Sequence, residues 1–356
     1  MTERIRLARP DVGEAELEAV AEVFASGMLT MGAKVGEFER LLSEACGTDD
    51  AVVVSSGTAA LHLAVMALGL GPGDEVIVPA YTFPATANAV ELCGARAVLV
   101  DVDADTFNVD IARVADAVGP RTRAVLAVHL FGRPLEWEEL QTAVPQEVAL
   151  VEDAAGALGA TYRGTPCGAL GLMGCLSFHP RKIVTTGEGG AVTTDEPELA
   201  DAIRRLRHHG IASRGDFDIA EPGLNYRLSD ILCAIAIPQM QRLEQLLAAR
   251  ERVAGWYTER LEHLVLTPSA AEGDRHGWQA YVVQLDRRDE ALRALREEGI
   301  EAQIGTYALH HLTGYRDRGS FPGADRAFAR ALALPFATTM TEDECDRVAA
   351  ALAHFV

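Results

Sequence analysis

The sequence predicts an α/β protein: a large, mostly parallel sheet between helical layers, followed by a smaller C-terminal α+β domain. Three observations carry this. At 356 residues the chain exceeds what one small core accommodates, so length favours two domains. From residue 51 short β-rich runs alternate with helical stretches, which requires crossover connections and parallel pairing. Towards the C-terminus the pattern changes to strand, helix, strand and a last helix.

In chain order, "AVVVSS" reads as a strand opening into the helix "GTAALHLAVMALGL". "DEVIVPA", "ARAVLVDVD", "TRAVLAVHLFG", "VALVEDAAGALGA", "CLSFH" and "GAVTTDE" continue the strands, with helical stretches such as "TFPATANAVELCG" and "IARVADAVG" between them. Residues 230–263 have helical periodicity, with Pro238 marking a start or a kink. Beyond them "QAYVVQL", "RDEALRALREEG", "IEAQIGTY" and "TEDECDRVAAALAHF" compose the small domain. We divide the chain as 1–240 and 241–356.

A hydrophobic content of 49% with 24% charged residues describes a globular chain. A formal net charge of -20 and a pI near 4.9 oppose sequence-independent nucleic-acid binding, because the phosphate backbone would meet a like-charged field. Any phosphate bound here must be held by local geometry. The N-terminal "MTERIRLARPDVGEAELEAV" lacks the apolar core of a signal peptide, and no window approaches the ~18 apolar residues of a membrane span. The expectation is a cytoplasmic protein with no membrane partner. Cys46, Cys93, Cys167, Cys175, Cys233 and Cys345 include no CxxC pair, so buried free thiols are expected.

Three segments bear on chemistry. Ser55, Ser56, Gly57 and Thr58 end a strand and open a helix, where exposed N–H groups and hydroxyls suit a phosphate, or simply cap the helix. Glu152 and Asp153 end another strand, as acids aimed at a cation or protonated ring nitrogen, or as an N-cap. Lys182, in "SFHPRKIVTTGEGGAVTT", is either a snorkelling surface charge or a desolvated amine able to form a Schiff base. Together, in this order, they match the phosphate, pyridine nitrogen and aldehyde of pyridoxal 5′-phosphate.

At this point the sequence resembles the sugar aminotransferase family labelled DegT/StrS, within the aspartate-aminotransferase-like fold. The resemblance runs through "GMLTMGAKVGEFE", "SSGTAALHLA", "DEVIVPAYTFPATANAV", "VEDAAGALGA", "SFHPRKIVTTGEGGAVTT", "GLNYRLSDILCAI", "QAYVVQL" and "GTYALH". It implies that Lys182 bonds the cofactor and shuttles protons, and that Asp153 pairs with the ring nitrogen. It implies further that Phe83 stacks on the ring, that Ser56, Gly57, Thr58 and Ser177 form the phosphate site, and that Asn225 reaches the phosphate from a neighbouring subunit of a homodimer. Thr30, His179, Arg227, Tyr307 and His310 are implied on the substrate side.

Two positions depart from the family pattern. Many members carry Gln or His where this chain has Gly156, near the cofactor's ring oxygen, and many carry Asn where it has Ile183. The implied reaction takes an amino group from L-glutamate or L-glutamine, passes it through pyridoxamine 5′-phosphate, and delivers it to a keto sugar, with ping-pong kinetics. A nucleotide-linked keto-deoxysugar is the favoured acceptor and a keto cyclitol the alternative. Sugar dehydration and a non-catalytic sensor are other readings; relatives that dehydrate have His in place of the lysine. The run Arg204, Arg205, Arg207, His208, His209 reads as a solvated helix face or a diphosphate contact. His310 and His311 are adjacent on what reads as an extended segment, so they are expected on opposite faces and no metal site is expected.

Overall fold

The computed structural model describes residues 4–213 and 218–355. Seven strands form the central sheet: β1 (Asp50–Val54), β2 (Glu75–Pro79), β3 (Arg96–Val100), β4 (Thr122–Val128), β5 (Ala149–Asp153), β6 (Met173–Ser177) and β7 (Gly190–Thr194). Their order is β1-β7-β6-β5-β4-β2-β3. The pairings from β6 through β3 are parallel, and β7 alone runs antiparallel to both its neighbours. The mostly parallel sheet is as expected. The reversal of β7 follows from its link to β6, residues 178–189, a hairpin loop rather than a helical crossover.

Side-chain alternation splits the strands between two apolar layers. Val52, Val54, Leu126 and Val128 pack against α3 (Gly57–Ala67), α4 (Ala85–Leu92) and α7 (Pro197–Leu206). On the opposite face Ala51 and Val53 meet α2 (Ala33–Cys46), α8 (Asp230–Gln241) and α9 (Leu243–Leu261), while Val125 and Ala127 meet α5 (Ile111–Ala117) and α6 (Trp137–Ala143). α1 (Glu14–Ser26) lies along α8.

The expected helical unit of 230–263 is two helices, and the break is not at Pro238. Pro238 lies inside α8, and the chain leaves helical geometry at Arg242, where φ is -113°. The Arg242 guanidinium bonds Asp11 at 2.7 Å and Glu16 at 2.9 Å, anchoring the corner to the N-terminal segment. Beyond α9 a second core gathers Val253, Tyr257 and Leu261 with β8 (Val282–Gln284), α10 (Arg288–Glu297), β9 (Gln303–Ile304), β10 (Ala331–Ala333) and α12 (Glu342–Leu352). Its sheet has the order β8-β10-β9, all antiparallel. The middle strand β10 and the helix before it, α11 (Pro322–Arg330), were not anticipated. Ile5 joins this core, its N–H donating to Gly299 O at 3.0 Å. Five of the six free cysteines are buried and Cys93 is half-buried.

Candidate active site

The parallel strands aim their C-terminal ends at one cavity of about 480 Å³. Ser56, Gly57 and Thr58 follow β1, Thr82 and Phe83 follow β2, Asp153 ends β5 and Ser177 ends β6, and all line it. Lys182 enters from the β6–β7 loop. The predicted anchors therefore converge because the sheet order converges them.

Lys182 stands on a braced loop. Its N–H donates to His179 O at 2.8 Å, and Arg250 donates to its carbonyl at 3.2 Å. The buried Gln239 amide exchanges two hydrogen bonds with Thr185, at 2.9 and 2.8 Å, fixing the far side of the loop to α8. Burial, aided by the charges of Arg181 and Arg250 and opposed by Asp153, pushes the Lys182 ammonium down to about 8. An amine so placed is neutral over part of the physiological range.

Glu152 and Asp153, adjacent on β5, face opposite sides and do different work. Asp153 lines the cavity; its Oδ2 accepts from Thr86 Oγ1 at 2.7 Å and its Oδ1 from Ala155 N at 3.2 Å. Burial raises its carboxyl above the ordinary value, against the pull of Thr86, Ala155 and the Lys182 charge. A cation on the cavity side would offset that cost. Glu152 is structural: it accepts from Gly168 N at 2.7 Å, Leu170 N at 2.8 Å and Gly171 N at 2.9 Å, and from His129 Nε2 at 2.9 Å. Since Leu135 N–H donates to His129 Nδ1 at 3.0 Å, that ring carries its proton on Nε2 and is neutral.

The start of α3 is a cradle made by absent side chains. A Cβ on Gly57 would stand 2.8 Å from Ser177 Cβ, and one on Gly190 would stand 2.4 Å from Ser56 O. Ser56 differs from the expectation in detail: its hydroxyl caps α3, accepting from Ala59 N at 3.0 Å. The Thr58 and Ser177 hydroxyls remain for an anion at the helix start. Phe83, 60% exposed at the cavity mouth, packs near Tyr307 with ring centroids 6.2 Å apart. Amine, acid, anion cradle and aromatic cover fit the four features of pyridoxal phosphate.

The other predicted residues divide. His179 and Tyr307 line the cavity. Thr30, Asn225, Arg227 and His310 do not line it within one chain. Thr30 and Asn225 are exposed, and Arg227 pairs with His208. Ile183 faces the core beside Phe178 and Val184, away from the chemistry. Gly156 is on the cavity wall. Neither reading of the arginine run holds for Arg207: it is buried, bonded to Glu39 and Val53 O at 2.6 Å each. Arg204 pairs with Asp50 and Asp201, and Arg205 with Glu221.

Contrary to expectation, His310 and His311 do not lie on opposite faces of an extended segment. Leu309–His311 is a 3-10 turn rather than extended chain, and both Nε2 atoms converge on Asp325 Oδ1, at 2.9 and 2.7 Å. Those are hydrogen-bond separations to one shared oxygen, and the buried Nδ1 of His310 is left without a partner among the described residues. A second grouping, His129, Glu152 and Cys167, is closed by the Glu152 bonds above, with burial holding the Cys167 thiol protonated.

Sequence reasoning missed Thr86, Gln279 and Arg181. Arg181, half-buried beside Lys182, lines the cavity without an acidic partner among the described residues. Its signal was present, as a cation inside the one stretch already singled out.

A desolvated loop amine, with a buried acid and an anion cradle at the strand ends, defines a pyridoxal-phosphate enzyme of the aspartate-aminotransferase-like fold. The aminotransferase TlmJ from Streptoalloteichus hindustanus superposes with a TM-score of 0.95 at 35% identity, covering 98% of each chain. The putative sugar aminotransferase Spr1654 from Streptococcus pneumoniae, in its PMP form, gives 0.96 at 28% identity over 99% of this chain and 98% of that one. The GDP-perosamine synthase of Caulobacter vibrioides is 39% identical over 98% of this chain and 97% of its own length. The chain belongs to the DegT/DnrJ/EryC1/StrS aminotransferase family, whose model matches residues 10–353.

Proposed function

We propose that this chain, a pyridoxal-phosphate-dependent aminotransferase, moves an amino group from L-glutamate or L-glutamine to the keto carbon of a nucleotide-linked deoxysugar and releases an amino sugar. The observation that carries it is Lys182, a neutralisable amine facing Asp153 across a cavity wide enough for a second substrate. The lysine also separates this reading from dehydration. A GDP-linked product such as GDP-perosamine is the first to test, because the 39% identical relative bears that name.

When bound, the cofactor supplies an aldehyde that bonds amines and a ring that takes up electron density. Lys182 Nζ would hold the aldehyde and would serve as the base for the α-proton of the donor. Asp153 keeps the proton on the ring nitrogen, and Thr86 holds the carboxylate in line. Gly57 N–H and the Thr58 and Ser177 hydroxyls take the phosphate, and Phe83 covers the ring. Arg181, whose guanidinium has no acidic partner among the described residues, offers it to a substrate anion. In wild type, initial-rate lines for donor and keto sugar should be parallel, with donor nitrogen recovered in the sugar by mass spectrometry. Arg181→Met should raise the donor or sugar KM about tenfold. Intersecting lines, or a sugar that loses oxygen without gaining nitrogen, would sink this function.

A homodimer in the cytoplasm completes the reading. Leu17, Phe24 and Met28 expose an apolar face on and after α1, 55–72% accessible, beside a groove floored by Pro180 and Ile235. Pro180 belongs to the Lys182 loop, so a second copy seated there abuts the site. Thr30 and Arg227 lie on one strip, since Thr30 bridges Ser229 and Arg227 bridges Val54. A partner would deliver that strip, with Asn225, to the neighbouring cavity. Six free cysteines suit a reducing compartment. Mixing inactive Lys182→Ala and Asn225→Ala chains should restore about a quarter of wild-type activity, since half the dimers regain one intact site. No recovery after verified subunit exchange would mean that each site is built from one chain.

A further inference from the structure

Gly156, three residues past Asp153 on the cavity wall, leaves its side-chain space to Gln279. A Cβ at 156 would stand 3.3 Å from both Cβ and Cγ of Gln279. The Gln279 backbone is clamped: its N–H donates to Phe131 O at 3.0 Å, and Arg250 donates to its carbonyl at 3.2 Å and to that of Trp278 at 2.7 Å. Gly132, at φ +95°, allows this approach, since a Cβ there would come within 3.0 Å of Trp278 N and 3.1 Å of Gln279 N. With its backbone fixed, Gln279 lines the cavity, and among the described residues none hydrogen-bonds its side-chain amide. A half-buried amide without a protein partner, on a cavity wall, is free to donate to and accept from a ligand seated there.

Covalent structure and strand order say which ligand atom that is. In pyridoxal phosphate the ring nitrogen and the aldehyde carbon are opposite each other; one edge between them bears the phosphate arm and the other the ring oxygen. In the sheet, β5 with Asp153 lies between β6, which ends at Ser177 in the phosphate cradle, and β4, whose following loop carries Phe131 and Gly132. Gln279 packs on that second side. Phosphate towards β6 therefore turns the ring oxygen towards Gln279. Resting on the functional reading above, we propose that the Gln279 amide donates a hydrogen bond to the cofactor's ring oxygen, a contact made possible by the missing side chain at Gly156.

A donor there stabilises negative charge on the ring oxygen and so weakens that oxygen's hold on the proton of the cofactor-bonded Lys182 nitrogen. The test is the pH titration of the visible absorption of the cofactor-loaded protein. Gln279→Leu should move the midpoint up by about one pH unit, the scale of a charge-assisted hydrogen bond, and weaken cofactor binding several-fold. The double variant Gln279→Gly with Gly156→Gln, which returns an amide from the other side, should bring the midpoint back. A folded Gln279→Leu protein that titrates at the wild-type pH overturns the contact and leaves the aminotransferase reading standing. A wild-type protein with no visible band overturns both.

Discussion

Lys182→Ala is expected to lower amino-transfer turnover by at least about 10⁴-fold, because one side chain supplies both the covalent attachment and the proton transfer. The visible absorption of the cofactor-loaded protein should vanish with it. The environment of the amine adds a pH signature. With the ammonium pushed down to about 8 by burial, cofactor loading of the apo-protein, measured by stopped flow, should rise through pH 8 instead of near the ordinary 10.5. The same shift has a stability consequence of defined sign. Between about 8 and 10.5 the unfolded chain holds a proton on this lysine that the folded chain has released, so stability rises with pH across that window. Below it the buried lysine costs about 3 kcal/mol. Lys182→Met, similar in volume and uncharged, should therefore raise the melting temperature of the cofactor-free protein at pH 7 while abolishing turnover, and the gain should shrink towards pH 10. Equal melting at pH 7 would mean that the amine is solvated, and a loading profile centred near 10.5 would agree with that.

The sequence made part of the cavity's inner wall legible because several anchors close or directly follow an apolar strand, and parallel strands bring their C-terminal ends together whatever lies between them. Asp153 and Gly57 could be placed on that ground alone, whereas Ser177 came from the family resemblance. Direction was harder. "GAVTTDE" alternates identically whichever way it runs, and only its hairpin to β6 makes β7 antiparallel. β10 is three residues long and acquires its identity from two partners, Val282–Gln284 and Gln303–Ile304, distant in sequence. Charged runs read as solvated because a buried partner is invisible in the run: Arg207 finds Glu39 168 positions away. The same blindness hid Gln279, whose role depends on what Gly156 lacks. Histidine pairs depend on backbone state: 3-10 geometry at Leu309–His311 converges rings that an extended chain would part. Thr30, Asn225 and Arg227 came from family resemblance, and a single chain gives them no cavity to line.

Asp153→Asn should lower turnover by about 10³-fold, with the protein folded and still able to bind the cofactor. The substitution keeps shape and leaves an oxygen for Thr86, so the loss isolates the charge. An amide cannot hold a proton on the ring nitrogen, and a neutral ring takes up electron density poorly. The carboxylate also acts on the lysine. Asp153 is the influence that raises the Lys182 ammonium against burial, so its neutralisation should carry the loading profile further below pH 8, towards lower pH. The two readouts thus move independently, turnover falling while loading at neutral pH quickens. A role limited to packing would leave the loading profile in place, and turnover within tenfold of wild type would remove Asp153 from the chemistry. If loading shifts to higher pH, the charge that governs Lys182 is not Asp153, and the pairing of acid and amine across the cavity fails with it.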